Sequence, residues 1–310
     1  MIDFFKLSSN DKNQSKNISP KWIDQVETGQ QPNGNELMNH LYDIHDKNAG
    51  FTETIAWNCR DINGKNSYEL LADVIDQKHH LKVLDLACGS GVLLDLCYKR
   101  FNKRLTLSGV DISNAELKLA RERLPRKGIK LYDGMAQNLF FLSDASVDVI
   151  LCHWALTLMD PVIPVFTTIN RLLTKGGVFA AITDGDINNS SSYHKIHNII
   201  YECVQQEHPN YGEIEIGDPR VRTVEGLNEL VRKTFVEPKV NITPHLLSFC
   251  APPKILAQEV AGFFYASFVL SSKGKSKMLV KLENYFSKQI HGGDSCFDMP
   301  INRLVLKKNQ

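Results

Sequence analysis

Apolar positions along the middle of the chain switch repeatedly between two periods. Tyr68, Leu70, Leu71, Val74 and Ile75 recur at helical spacing behind Ser67, which reads as the N-cap. Val83-Leu84-Asp85-Leu86 is then a short apolar run that stops at a glycine turn, and Leu93, Leu94 and Leu96 open another helix. The same exchange continues through a strand at 105–110, a helix at 115–124, and strands at 129–132 and 147–152. A helix at 162–173 follows, ended by Gly176-Gly177, and then a strand at 178–183. Strands this uniformly apolar are covered on both faces, and their alternation with helices predicts parallel strands joined by crossovers. The fold class expected is α/β, a doubly wound Rossmann-like sheet.

On either side the rhythm changes. Residues 8–19 are almost all Ser, Asn, Asp, Lys and Gln, which predicts a mobile leader over 1–19. Residues 20–66 regain aromatic and aliphatic side chains and predict two or three short helices suited to a lid. Beyond Asp184, helices are expected at 193–206, 224–233, 255–268 and 277–290, with strands at 239–243 and 301–306. The organisation expected is therefore a leader, a lid at 20–66, a core at 67–184, a helical cap at 185–238 and a final sheet segment at 239–310.

Composition narrows the function classes. With 36 Lys+Arg against 35 Asp+Glu, no overall field draws the chain to nucleic acid or anionic lipid. Seven cysteines without a CxxC pair argue against a disulfide framework or a zinc site, and favour a reducing, cytoplasmic setting. No apolar run reaches membrane-spanning length. Oligomeric state has no signature here.

The chemistry concentrates at Asp85-Leu86-Ala87-Cys88-Gly89-Ser90-Gly91, where a buried strand enters a turn that admits a ligand close to the backbone. Asp111, twenty residues after Gly91, ends the second strand where a carboxylate can accept bonds from ribose hydroxyls. A dinucleotide site prefers a third glycine where this chain has Leu94. Asp85 would repel a pyrophosphate and suits an ammonium. A ligand with an ammonium, a ribose and an adenine fits better, and S-adenosylmethionine is such a ligand.

These residues, with Gly109-Val110-Asp111-Ile112-Ser113, resemble the class I S-adenosylmethionine-dependent methyltransferase family. Asp133 to Phe140, Ser146 to His153 and Leu172 to Phe179 extend the resemblance over roughly 67–184. It implies a seven-stranded sheet with an antiparallel last strand, supplied by Arg303 to Lys307. It further implies that Asp85 serves the methionine ammonium, that Ala87, Gly89 and Gly91 allow backbone approach, and that Asp111 holds the ribose. Ile112 and Met135 would sandwich the adenine, with Ala136, Gln137 and Cys152 completing the cofactor site. Many relatives carry an acid at the position of Met135; here the nearest is Asp133, so either Gln137 or a backbone carbonyl takes the adenine edge, or the loop register shifts.

Methyl transfer is an in-line displacement, so the acceptor belongs beyond the carboxyl ends of the strands. That places His153 as a candidate general base, with Tyr42, Trp57, Trp154 and Asp184 around the acceptor. No Asn/Asp-Pro-Pro-aromatic sequence follows the fourth strand and no Pro-Cys dipeptide occurs, which disfavours nucleic-acid bases as acceptors. The basic residues Lys118, Arg121, Arg123, Arg126, Lys127 and Lys130 interleave with Glu116 and Glu122 and read as a solvated face. The expectation is a small-molecule acceptor, no metal, and no membrane. An RNA- or protein-directed enzyme is the alternative, or a cofactor-binding interaction module without catalysis.

Overall fold

The structure, a computed structural model, describes residues 20–125, 128–213, 216–290 and 292–309. The leader expected at 1–19 lies outside them, as do Arg126 and Lys127 of the basic series.

Three helices open the described chain: α1 (Pro20–Thr28), α2 (Gly34–Lys47) and α3 (Glu53–Asn58). Then come α4 (Ser67–Ala72), β1 (Lys82–Leu86), α5 (Val92–Phe101), β2 (Thr106–Asp111), α6 (Asn114–Arg123), β3 (Lys130–Asp133), β4 (Val147–His153), α7 (Ile163–Leu172) and β5 (Leu173–Asp184). The remainder is α8 (Ser191–Gln205), α9 (Val224–Thr234), β6 (Lys239–Ala251), α10 (Pro253–Phe263), α11 (Ser272–Ser287) and β7 (Ser295–Lys307).

All seven strands join one sheet in the order β3-β2-β1-β4-β5-β7-β6. β1 to β5 pair in parallel, and β7 runs antiparallel between β5 and β6. Alternation along each strand divides the core. Val83, Val149 and Leu151 face the larger apolar cluster, which also holds side chains from α4, α5, α8, α10 and α11. Leu84, Leu86 and Ile150 face the other, under α7 and α9. Asp85 shares the face of Val83, so a carboxylate sits where the strand pattern otherwise places aliphatic groups.

Several sequence expectations need correction. Ser67 is not the N-cap of α4: Asn66 is, accepting from the Glu69 N–H in a capping box, which frees the Ser67 hydroxyl for another partner. Gly176-Gly177 does not end α7, which stops at Leu172; the glycines form an irregularity inside β5, where the pairing register with β4 shifts. The helix expected over 255–268 breaks at Phe264 and resumes as a 3-10 turn at Tyr265–Val269. β6 and β7 each run 13 residues, far beyond the strands expected at 239–243 and 301–306.

Cysteine usage is also corrected. Cys250 and Cys296 stand directly opposite each other on β6 and β7 and are joined by a disulfide. Their separation of 46 residues hid the pairing, because only the strand register makes them neighbours. The other five cysteines are free and buried.

Candidate functional site

One large cavity opens at the carboxyl ends of β1 and β4, where the strand order reverses. Its volume is about 1180 Å³.

The turn after β1 builds its floor. Ala87, at φ 58°, and Gly89, at φ 50°, both adopt left-handed backbone, and the Cys88 N–H reaches back to the Val110 carbonyl. The Gly89 N–H donates to Asp111 Oδ2 and the Ser113 N–H to Asp111 Oδ1, each at 2.8 Å. Asp111 thus ties the two βα turns together while lining the cavity. Burial raises its pKa, and the two backbone donors pull it back down. Gly91 is a correction: it caps α5 in left-handed conformation and does not line the cavity. A Cβ there would lie 3.0 Å from Leu124 Cδ1 and 3.2 Å from Ala120 Cβ, so the glycine answers to packing against α6.

Ala87 has no such excuse for its conformation. A left-handed alanine costs about 1–2 kcal/mol, part of which glycine returns as unfolded-state entropy. Ala87→Gly should therefore raise stability by about 0.5–1 kcal/mol in chemical denaturation; a loss would show that the alanine methyl makes a compensating contact.

Asp85 is the most informative group. It is 1% exposed, lines the cavity, and neither carboxylate oxygen has a hydrogen-bond partner. Burial, with Asp111 nearby, raises its pKa well above the usual carboxylate range. An orphaned buried carboxylate needs a donor, and a ligand ammonium supplies up to three. The residues present therefore fit the amino-acid end of S-adenosylmethionine. Ile112, Met135, Ala136 and Gln137 also line this end, and the Gln137 carbonyl is fixed by the Thr168 hydroxyl at 2.9 Å. Asp133 does not line it. Cys152 is a correction: it lies in the apolar core between β4 and α7, fully buried, its thiol pushed up to about 12 by burial.

Residues of α2 and the turn after it are tied to the core beside this end. His45 of α2 bonds Glu116 Oε1 through Nδ1 at 3.0 Å and the Tyr265 hydroxyl through Nε2 at 2.8 Å, and the Gly50 N–H also donates to Glu116. Arg123 grips both oxygens of Glu53, as well as the carbonyl and hydroxyl of Ser90. Arg123 is thereby removed from the basic series as a free cation. Glu53, Glu116 and Arg123 were missed as site residues, because a helix-face charge looks the same in sequence whether solvated or latched.

His153 sits on the cavity wall between Tyr68, stacked at 4.0 Å, and Trp154, edge-on at 4.7 Å. Its Nε2 shares a 2.8 Å hydrogen bond with the Ser67 hydroxyl. Burial pushes its pKa down to about 3. Such an imidazole stays neutral near pH 7 and is a weak proton acceptor, contrary to the expected general base. Tyr42, Trp154 and Asp184 line the cavity as expected, whereas Trp57 does not: it is 39% exposed and leans on the back of Tyr68.

The far lobe comes from elements the sequence left vague. Tyr193, His197 and Tyr201 project from one face of α8, and Phe263 and Phe264 from the end of α10. Aromatic contacts run from Trp154 to Phe263, Phe264 and Tyr193, and from His197 to Tyr201. Arg222 and Asp184 complete the wall, and Asn302 donates to the backbone carbonyls of both. Among the described residues no group of three His, Cys, Asp or Glu is arranged to hold a metal, and no helix is long and apolar enough to cross a membrane.

Residues 84–181 match the family model described as a methyltransferase domain. The fold is similar to the YcgJ protein of Bacillus subtilis (TM-score 0.52, 14% identity, covering 79% of this chain and 98% of that one). It is also similar to Haemonchus contortus phosphoethanolamine N-methyltransferase 2 in complex with S-adenosyl-L-methionine (TM-score 0.51, 18% identity, covering 86% and 60%). No curated protein sequence matches the chain.

Proposed function

We infer that this chain, whose residues 84–181 match a methyltransferase domain model, is a class I S-adenosylmethionine-dependent enzyme that methylates a small organic acceptor held in the aromatic lobe of its cavity. The observation that carries this reading is the single cavity joining the Asp85 end to that lobe. At about 1180 Å³ it exceeds the space one drug-sized ligand usually takes, roughly 300–1,000 Å³, leaving room for an acceptor beside the cofactor. Its described lining contains no lysine and one arginine, which suits a small molecule and not a polyanion. The basic series, already read as a solvated face, offers nucleic acid one free cation fewer with Arg123 held by Glu53.

Bound there, S-adenosylmethionine supplies a methyl group on a sulfonium, open to in-line attack. Asp85 takes the ammonium, Gly89 admits the ligand to the backbone, and Asp111 accepts from the ribose hydroxyls. Ile112 and Met135 flank the adenine, with Gln137 at its edge. Residues 20–66 act as the lid and 185–238 as the cap. We assign the chain to the cytoplasm on its five buried free thiols, with the Cys250–Cys296 disulfide standing against that reading.

Since His153 is held neutral, positioning is its role. The pH profile of kcat should then lack an ionisation between about pH 6 and 7 that disappears in His153→Gln. Finding such a limb would restore His153 as the base. The acceptor class is tested with methyl-labelled cofactor incubated with fractionated metabolites, RNA and protein. Label in the metabolite fraction is expected; label only in RNA or protein would overturn the small-molecule reading.

A further inference from the structure

We propose that Arg222 is the anchor for a carboxylate on the methyl acceptor, so that the enzyme acts on small monocarboxylic acids with an apolar or aromatic body. This rests on the small-molecule reading above and specifies its substrate class.

The polar balance of the cavity carries the proposal. Arg222 Nη2 donates to the Ile216 carbonyl at 2.5 Å, whereas Nη1 is buried with no partner. Trp154 Nε1–H and His197 Nδ1 are likewise buried without partners. All three residues line the cavity. A desolvated guanidinium nitrogen and an indole N–H are donors only, and neither of these two has an acceptor. Leaving a charged donor unsatisfied in a buried site is costly, and a ligand carboxylate relieves it with a charge-assisted bond.

Asp184 does not fill this need. Among the described residues no ion pair joins it to Arg222, and burial raises its pKa, with the Arg222 charge and the Thr157 hydroxyl opposing. Arg222 is nevertheless held firmly. Its backbone carbonyl and that of Asp184 are both bonded by Asn302, itself 3% exposed on β7. The guanidinium therefore has a fixed base from which to present Nη1.

The charge count selects among anions. Arg222 is the sole Lys or Arg among the described lining residues, against eight carboxylates. That one cation can pair with a single carboxylate, whereas a phosphate dianion would bring a second negative charge that no other lining Lys or Arg meets. The aromatic wall from Trp154 to Tyr201 then takes the apolar body.

The test is calorimetric titration of the full chain, with and without saturating S-adenosylhomocysteine. The probes are 3-phenylpropionate, indole-3-acetate and octanoate, each against its primary amide, with 3-phenylpropylphosphonate as the dianion. At least one carboxylate should bind tenfold or more tightly than its amide and than the phosphonate. Arg222→Gln should abolish that preference, and Arg222→Lys, which keeps the charge without the planar fork, should restore part of it. S-adenosylhomocysteine affinity reports that each variant is folded. No carboxylate preference in the parent, or one that survives in Arg222→Gln, would overturn the assignment. Failure of S-adenosylhomocysteine to bind, with the carboxylate preference intact, would instead strike the methyltransferase reading and leave the anion site standing.

Discussion

Asp85→Asn should weaken S-adenosylmethionine binding by roughly two to three orders of magnitude, the usual consequence of removing one partner of a buried ion pair. The same change should make the ligand-free protein more heat-resistant at about pH 8, because it deletes a buried carboxylate that has no protein partner. The opposite signs separate a binding role from a structural one; a residue that merely held the fold together would lose both quantities.

The pH dependence follows from the same group. The folded, ligand-free protein raises the Asp85 pKa above its unfolded value, so it binds that proton more tightly than the unfolded chain does. The resulting stabilisation is complete below the unfolded pKa and is lost as pH rises through the raised folded pKa. An ammonium favours the ionised carboxylate and pulls the other way. Between about pH 5 and pH 7, below the range where a free α-amino group titrates, the thermal shift produced by S-adenosylmethionine should grow in the parent and stay flat in Asp85→Asn. Parallel curves for the two proteins would remove Asp85 from the ammonium site.

Asp111→Ala should cost about 1.5–3 kcal/mol of cofactor binding, or roughly 10- to 150-fold in Kd, from the lost charge-assisted bonds to the ribose. It should also lower stability, since the Gly89 and Ser113 N–H groups lose their acceptor and the two turns come apart. Asp111→Asn keeps one acceptor oxygen and should fall between the two. Unchanged calorimetric affinity in Asp111→Ala would show that the carboxylate serves only the turns.

The sheet and the residues that line the Asp85 end of the cavity were legible in the chain because both are written locally. A covered parallel strand must be apolar throughout, so the five strands from Val83 to Thr183 announced themselves, and the acid at Asp85 stood out against that pattern. Asp111, Met135 and Gln137 followed at strand ends whose spacing is set by one strand and one crossover. Gly91 shows where this reading overreached: a glycine in a binding turn was explained by a ligand, yet its missing methyl makes room for α6.

The acceptor end had no such local signature. Arg222 precedes a helix in a region of weak periodicity, Tyr193 and His197 look like an ordinary amphipathic face, and Asn302 lies 80 residues further along on another strand. Cys250 and Cys296 meet only because β6 and β7 pair over 13 positions. The chain alone determined the element order, the glycine turn and the two carboxylates that line the Asp85 end of the cavity, since each depends on neighbours within a few residues and a repeating burial pattern. Tertiary structure decided which charges are latched, that His153 is packed between Tyr68 and Trp154, and that one guanidinium nitrogen of a cavity-lining arginine is buried without a partner. Burial and pairing are properties of distance in space, and no spacing along the backbone encodes them.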